Sequence, residues 1–178
     1  MEDILVWEKK TVHIRDYPYA EKLNPVLNQI IKEKAVKKDK GALMTSYASL
    51  NVKEFKLISD YVIHFLSSDR FTLHNPHLTG LDGYPLRMHN LWGQLYNKGH
   101  FQNSHHHLPY DWSFVYYVNT PRRSSPIVFD ESRKRIRLKA GQVIIFPSWL
   151  LHHVPPNKCE GRVVIGGNLS YTTHQGIK

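Results

Sequence analysis

Two groups of histidines in the second half of the chain have the spacing of metal ligands. The first is the run His105-His106-His107, and the second is the pair His152-His153. In an extended strand successive side chains point to opposite faces, so His105 and His107 would share a face while His106 would point away. His152 follows an apolar run, residues 143–147, that is short enough for a buried strand and ends in proline. Three imidazoles from these positions could occupy one triangular face of a divalent metal ion and leave the other positions open.

A solvated turn and a structural zinc site are the two alternatives for these histidines, and the sequence disfavours both. A solvated turn is not expected directly before the strand-like run of residues 113–118, and a closed structural zinc site is expected to use thiolate ligands. The chain contains one cysteine, Cys159. A mononuclear metal site with open coordination positions is therefore the favoured interpretation.

Length, cysteine content and hydropathy limit the class of protein. A chain of 178 residues suits one domain with a sizeable core. One cysteine cannot form an internal disulfide framework, and the sequence has no apolar run long enough for a membrane span and no signal-like amino terminus. We therefore expect a single-domain cytoplasmic protein that does not contact membranes.

The formal net charge of +9 suits nucleic acid, an acidic partner or an anionic small molecule, because a positive field attracts any anion. Basic residues are concentrated in residues 32–40 and 133–139. The first run is typical of the solvated end of a helix. The second alternates with Ile136 and Leu138, as in an exposed edge strand. Neither run has the aromatic residues expected in a groove for single-stranded nucleic acid, so nucleic acid stays open as a partner but is not favoured.

The predicted elements place helices before closely spaced strands. Strands are expected at residues 4–6 and 12–14, a helix starting at Asn24-Pro25, and a second helix over residues 52–66 with Asn51 as its cap. Strands are then predicted over residues 90–96, 113–118, 126–129, 133–138, 142–146 and 162–168. This order favours a mainly β protein, a β-sandwich or jelly roll with the two helices packed outside a sheet.

A long loop is predicted between the helices and the strands. Residues 67–87 are rich in proline, glycine, asparagine and aspartate, and loops of this length often cover binding sites. His74 and His77 could contact a substrate from this loop. The single predicted domain, residues 1–178, is thus divided into a helical support with a lid loop over residues 1–89 and a jelly-roll core over residues 90–170.

Four motifs follow one another between residues 92 and 170. They are His-x-His at 105–107, Ser-x-Val-Tyr-Tyr at 113–117, Phe-Pro followed by His-x-Val-Pro at 146–155, and finally Arg162. In this order and spacing they resemble the iron(II)- and 2-oxoglutarate-dependent oxygenases, in particular the small, prolyl-hydroxylase-like oxygenases of bacteria and marine phages. The resemblance implies a double-stranded β-helix, which is a cupin-like jelly roll.

The resemblance also implies a cofactor and a reaction. By it, His105 and His152 are iron ligands and Arg162 binds the distal carboxylate of 2-oxoglutarate, for which a guanidinium offers paired donors that stay charged when desolvated. Gln94, Tyr96 and Tyr117 are weaker candidates for the cosubstrate pocket, since core packing accounts for the tyrosines equally well. The implied enzyme is a dioxygenase that uses O₂ to hydroxylate an unidentified small molecule or peptide, such as a peptidyl proline.

The third metal ligand departs from the usual pattern of that superfamily. The usual residue two positions after the first histidine is aspartate or glutamate, whereas this chain has His107, and the nearest acid downstream is Asp111. His107 is favoured because it would share a strand face with His105 without a bulge. Three-histidine sites also occur in cupin dioxygenases that do not use 2-oxoglutarate. That reaction, and a non-catalytic basic β-barrel binding an anionic ligand or nucleic acid, are the alternatives, and Arg162 favours the oxygenase over both.

Overall fold

The computed structural model describes residues 2–7, 10–37, 41–68 and 85–172. Within these ranges the chain forms two α-helices, one 3-10 helix at Ser49–Asn51 and twelve β-strands. The helices are α1 (Ala20–Lys34) and α2 (Lys53–Leu66). The strands are β1 (Glu2–Trp7), β2 (Lys10–Asp16), β3 (Val36–Lys37), β4 (Leu43–Met44), β5 (Leu86–Tyr96), β6 (Gln102–His105), β7 (Trp112–Asn119), β8 (Ile127–Phe129), β9 (Lys134–Ile136), β10 (Gln142–Pro147), β11 (His152–Val154) and β12 (Arg162–Tyr171).

The strands form two antiparallel sheets. The large sheet has the order β1-β2-β10-β7-β12-β5-β4-β3, and the small sheet has the order β6-β11-β8-β9. At the centre of the large sheet β12 lies between β5 and β7, with Arg162 opposite Tyr96 and Val164 opposite both Gln94 and Tyr117. The predicted fold class, mainly β with amino-terminal helices in a jelly roll, is confirmed.

Side-chain alternation separates two cores on the central strands. In β10, Val143 and Ile145 belong to the apolar cluster shared with the helices, whereas Ile144 and Phe146 belong to the cluster shared with the small sheet. The residues on β7 and β12 divide in the same way. Because both faces of these strands are buried, their sequences are nearly continuous apolar runs. The large sheet therefore has one face toward the helices and one face toward the small sheet.

Both helices pack on one face of the large sheet, as predicted. Leu27 and Ile31 of α1 are fully buried there, as are Phe55 and Ile58 of α2. A Cβ atom built on Gly93 of β5 would lie 2.6 Å from Ile31 Cγ1. This position must therefore be glycine for α1 to pack so closely on the sheet.

The predicted start of the first helix is wrong. Because α1 begins at Ala20, Asn24 and Pro25 lie inside it. Asn24 does not cap the helix, since its Oδ1 accepts a hydrogen bond from Tyr116 OH at 2.6 Å. This contact with the sheet outweighs the local start signal, and the proline removes only one hydrogen bond from the helix.

Other predicted boundaries shift by smaller amounts. The second helix begins after Val52, so Asn51 is not its cap. Strand β5 begins at Leu86 and β12 extends to Tyr171, because these two residues still pair across the ladder. Residues 86 and 87, which were predicted to belong to the long loop, are therefore in β5. Residues 69–84 of that predicted loop, with His74 and His77, lie outside the described residues.

The basic run at residues 133–139 contains an edge strand, as predicted. Strand β9 lies at the edge of the small sheet. Along the run, Ile136 and Leu138 are buried, and Arg135 and Arg137 are exposed. Charged side chains on an edge strand discourage pairing with other chains, so the fold accounts for this run without a nucleic-acid partner. In the described ranges, neither helix has the length and apolarity that a membrane span requires.

Candidate functional site

Three imidazoles converge between the two sheets. His105 ends β6 and His152 begins β11, and the two residues are paired across the small sheet. Their ring centroids lie 4.4 Å apart, and the ring of His107 lies 4.9 Å from His105 and 5.2 Å from His152. One nitrogen from each ring lies within 4.8 Å of the other two. A single cation placed between these nitrogens could contact all three rings.

His107 reaches this cluster from a loop. Strand β6 ends at His105, so the predicted reason, a shared strand face, is wrong even though the side chains meet. The His107 N–H donates to the Ser148 carbonyl at 2.7 Å, and the Ser148 N–H donates to the Asp111 carbonyl at 3.0 Å. These two backbone hydrogen bonds hold residues 107–111 against the turn that precedes β11.

Backbone carbonyls orient two of the three rings. His105 Nδ1 lies 2.8 Å from the Asn103 oxygen, and His152 Nδ1 lies 2.8 Å from the Leu150 oxygen. Because a carbonyl only accepts hydrogen bonds, each Nδ1 carries the proton of the neutral ring. The Nε2 atoms are then unprotonated, which is the form that binds metal ions.

Burial lowers the pKa of all three imidazoles. His152 is 3% exposed, and burial, followed by the neighbouring His105, holds its pKa well below the usual range. Burial, and then the neighbouring His105 and His106, lowers the pKa of His107 to about 4. Burial also lowers the pKa of His105, although its hydrogen bond to Asn103 opposes the shift. The rings are therefore neutral at pH 7, as metal binding requires.

A carboxylate outside the cluster joins the two strands that carry His105 and His152. Asp130 accepts hydrogen bonds from Ser104 Oγ and from His153 Nδ1, and these two residues are the chain neighbours of the two histidines. Burial alone would raise the pKa of Asp130, but the two hydrogen bonds bring it below its usual range. Sequence reasoning missed Asp130, because nothing in the motifs links it to β6 and β11.

The other acid, Asp111, lies outside the histidine cluster. It is exposed, and its Oδ2 accepts the backbone N–H of Tyr171 at 2.9 Å. This hydrogen bond therefore connects the loop after His107 to the end of β12. Among the described residues, the cluster of convergent ligand atoms consists of histidines alone.

The two remaining histidines do not join the cluster. His106 is exposed, and its Nδ1 accepts the N–H of Leu108 at 3.3 Å. His153 is hydrogen-bonded to Asp130, as described above. Their predicted orientation away from the other three imidazoles agrees with these contacts.

Arg162 is a buried cation in the same pocket as the imidazoles. It is 1% exposed, and its Cζ lies 4.5 Å from the ring centroid of Tyr96 and 5.2 Å from that of Tyr117. Its Nε and Nη1 atoms make no hydrogen bond of normal geometry to any described residue, although the side chain lies close enough to the hydroxyls of Tyr96 and Tyr117 to oppose the rise in their pKa. Leaving buried charged donors unpaired is costly. The arrangement is therefore suited to an anion that Arg162 would pair with.

The residues predicted for the metal and cosubstrate sites line one pocket. The empty space within it, including its open mouth, is about 440 Å³. Burial raises the pKa of both Tyr96 and Tyr117, partly opposed by the charge of Arg162, so both phenols are neutral. Tyr96 OH donates to Gln94 Oε1 at 3.2 Å. The pocket brings together His105, His107, His152, Arg162, Gln94, Tyr96 and Tyr117.

A wider pocket opens outward from the imidazoles, and we call it the outer pocket. Its described lining consists of Tyr47, Asn90, Trp92, Gln94, Gln102, His105, His106, His107, Tyr110 and Asn168. The ring of Trp92 lies 5.9 Å from that of His107 and 5.1 Å from that of Tyr47. Sequence reasoning missed Asn90 and Trp92. The signal was the alternation along β5, which places both on the same face as Gln94.

No family model and no curated protein matches this sequence, but solved structures match it over most of its length. The viral collagen prolyl hydroxylase vCPH from Paramecium bursaria Chlorella virus-1, solved as a 2OG complex, has a TM-score of 0.70 at 15% identity, covering 91% of this chain and 96% of that chain. The chain has the fold of 2-oxoglutarate- and iron(II)-dependent oxygenases. The double-stranded β-helix that the motifs implied is confirmed.

Two further structures show how widely the oxygenase fold is used. A prolyl-4-hydroxylase from Pseudomonas putida has a TM-score of 0.60 at 17% identity, covering 90% of this chain and 92% of that chain. SnoN, a non-heme alpha-ketoglutarate-dependent epimerase from nogalamycin biosynthesis, has a TM-score of 0.58 at 12% identity, covering 93% of this chain and 79% of that chain. Hydroxylases and an epimerase share this fold, so the fold alone does not determine the reaction.

Proposed function

We propose that the chain is an iron(II)- and 2-oxoglutarate-dependent dioxygenase that hydroxylates its substrate. The observation that carries the proposal is a buried arginine with unpaired donors in the same pocket as three neutral, convergent imidazoles. A metal site alone would not need such a cation. A buried cation alone would not need the imidazoles.

The residues fit an iron(II) ion. His105, His107 and His152 would hold it, since their ring nitrogens lie close enough to share one cation. The carbonyls bonded to Nδ1 of His105 and His152 keep these rings in the metal-binding tautomer. Three ligands on one side of an ion leave positions open for other ligands, as a non-haem oxygenase needs.

The residues also fit a dicarboxylate cosubstrate. Arg162 would pair with the carboxylate that lies farther from the metal, and the Tyr117 side chain lies beside the guanidinium. A neutral imidazole in place of a carboxylate ligand leaves the bound iron more positive, which favours a dianionic cosubstrate. Gln94 and Tyr96 would line the same end of the pocket.

The remaining residues of the pocket would keep water away from the reaction. Val115, Ile127, Val154 and Val164 supply apolar walls, and exclusion of water strengthens the pairing between Arg162 and an anion. When bound, iron(II) and 2-oxoglutarate supply oxidation of an unreactive C–H bond by O₂, with the cosubstrate oxidised to succinate and carbon dioxide. The protein itself provides binding, orientation and a dry site.

The substrate would approach through the outer pocket, which adjoins the imidazoles. Two of the structures similar to this chain are prolyl hydroxylases, so we propose a peptidyl proline or a small molecule as the hydroxylated substrate. Within the described residues the outer pocket contains no lysine or arginine, which disfavours nucleic acid.

A second candidate is a three-histidine dioxygenase that does not use 2-oxoglutarate. The ligand set favours it, because the convergent cluster contains His107 where an acid is usual in the oxygenases. The buried Arg162 favours the first candidate, since a reaction without a second anion gives it no partner.

Aerobic incubation of iron-loaded protein with 2-oxoglutarate tests the proposal. We expect the wild type to convert the cosubstrate to succinate slowly on its own, and faster with a substrate that gains one oxygen atom in mass. The control is Arg162→Met, loaded to the same iron content. Iron binding without succinate formation in the wild type would support the second candidate, and failure to bind iron would contradict both.

A further inference from the structure

Two residues that line the outer pocket carry a buried polar atom that no described residue pairs with. Trp92 is 6% exposed, and its Nε1 makes no hydrogen bond to any described residue. The same is true of Asn90 Oδ1. The proposed metal and cosubstrate sites use neither atom. An indole N–H only donates and an amide oxygen only accepts. Buried polar groups without a hydrogen-bond partner are rare in native proteins. A ligand with both an acceptor and a donor would satisfy them.

The two residues are fixed on one face of β5. They are two positions apart, so their Cα atoms are separated by about 6.6 Å along the strand. The Trp92 ring lies over Gly166 of β12, where a Cβ atom would come within 2.6 Å of Trp92 Cζ2. Its other neighbours are the rings of Tyr47 and His107. The indole is therefore held in place before any ligand binds.

The outer pocket has few charges to offer a ligand. Its described lining contains no aspartate, glutamate, lysine or arginine. Aromatic rings of Tyr47, Trp92 and Tyr110 form part of its wall, and flat rings pack well against flat, uncharged groups. A phosphate or a carboxylate would find no permanently charged partner among these residues.

We propose that the outer pocket binds the substrate through an uncharged amide, whose carbonyl accepts from Trp92 Nε1 and whose N–H donates to Asn90 Oδ1. Calling this ligand the substrate rests on the proposed function, whereas the amide site itself does not. Because Trp92 also contacts His107, the amide would lie beside the metal site. A peptide backbone and a small carboxamide share this chemistry.

Binding of simple probes to the metal-free protein tests the proposal by NMR titration. N-acetylalanine N-methylamide represents a peptide unit and propionamide represents a small carboxamide. We expect the peptide unit to shift the Trp92 indole N–H and Gly166 N–H resonances. Asn90→Leu and Trp92→Phe should each weaken binding about three- to tenfold, the usual effect of one lost hydrogen bond. Asn28→Leu is the matched control, because it removes another unpaired buried Oδ1 outside the pocket.

An ester analogue tests the hydrogen bond to Asn90 directly. Methyl propionate has the carbonyl of propionamide but no N–H, so it should bind the wild type about three- to tenfold more weakly than propionamide and bind Asn90→Leu as well as propionamide does. If Asn90→Leu does not fold, Asn90→Asp keeps the acceptor and should still prefer the amide. Stronger binding of propionamide than of the peptide unit would assign the site to a small carboxamide.

Three results would overturn the inference: no binding of either amide, equal binding by wild type and variants, or preferential binding of adenosine monophosphate. Neither metal nor 2-oxoglutarate is present in these titrations. Amide binding without oxygenase activity would therefore contradict the proposed function alone, and oxygenase activity without amide binding would contradict this inference alone.

Discussion

The two faces of the large sheet are built from the same strands but differ in how their buried polar groups are satisfied. On the helix-facing side, Val163 and Ile165 are completely packed, and the buried Tyr116 hydroxyl donates to Asn24 of α1. On the pocket-facing side, Arg162 and Trp92 carry buried donors that no described residue accepts. Satisfied groups stabilise a fold, whereas unsatisfied ones are maintained at a cost to stability. The helix-facing side also has an unpaired buried atom, Asn28 Oδ1 of α1, but the pocket-facing side combines unpaired donors with three convergent imidazoles. That combination indicates which side of the sheet is adapted to a ligand.

The largest expected effect is the loss of metal from the pocket-facing side. Because the proposed site has only three ligands, His105→Ala and His152→Ala should abolish stoichiometric iron(II) binding, measured by metal analysis after dialysis. The controls His106→Ala and His153→Ala alter the neighbouring side chains outside the cluster and should retain most of the metal. Metal content at the wild-type level in both ligand variants would contradict the site.

His107 and Asp111 provide a second comparison of the same kind. His107→Ala should lower iron affinity sharply, because its ring belongs to the cluster. Asp111→Asn should leave iron affinity nearly unchanged, since its carboxylate bonds to the Tyr171 N–H instead. The reverse result would indicate a two-histidine, one-carboxylate site in the metal-bound protein.

On the helix-facing side the same kind of truncation should affect stability instead of binding. Ile31 is completely buried against Gly93, so Ile31→Ala should lower the free energy of unfolding by about 2 to 5 kcal/mol. Urea unfolding measures this change. The metal affinity of the folded variant should equal that of the wild type. A large change in affinity would mean that the two faces are coupled.

Acid should also destabilise the metal-free protein through the pocket-facing side. The pKa of His107 is about 4 in the folded chain and about 6.5 when unfolded, so the unfolded state binds more protons between these values. Stability is therefore fully present above pH 6.5 and falls as the pH drops toward 4. His107 alone accounts for on the order of 3 kcal/mol of this loss. Urea unfolding at pH 7 and pH 4.5 should show that His107→Gln loses less free energy of unfolding on acidification than the wild type does. An equal loss in the two proteins would contradict the low pKa of His107.

The smallest expected effect concerns Asp130, which bridges the strands of two proposed ligands. Asp130→Ala should weaken iron(II) affinity about three- to tenfold, below the effect of losing a group that bonds directly to a metal ligand. Asp130→Asn can still accept from Ser104 and donate to His153, so it should restore most of the affinity. Competition with a chelator measures both variants. If the two variants lost the same amount of metal affinity, the charge of Asp130, and not its hydrogen bonds, would account for its effect.

The sequence predicts the parts of this molecule that depend on local periodicity. The apolar runs along β5, β7 and β12 were enough to predict the strands, whereas Gln94, Tyr96, Tyr117 and Arg162 were expected in one pocket because of the resemblance to the oxygenases. The sequence could not predict contacts set by distant parts of the chain. The start of α1 is determined by packing on the sheet, and the position of His107 depends on a hydrogen bond to Ser148. The bridging role of Asp130 likewise requires β6 and β11 to be neighbours.

The central claim, that Arg162 is buried to bind the distal carboxylate of 2-oxoglutarate, is tested most directly by calorimetry under anaerobic conditions. Iron-loaded wild-type protein is titrated with 2-oxoglutarate and with 2-oxopentanoate, which lacks the distal carboxylate, and both titrations are repeated with Arg162→Met. The wild type should bind 2-oxoglutarate on the order of a hundredfold more tightly, because a desolvated charge pair contributes a few kcal/mol. Arg162→Met should hold the same metal, unfold no more easily than the wild type, and bind both compounds with similar, weak affinity. Equal binding of the two compounds by the wild type, or an undiminished preference in the variant, would contradict the claim.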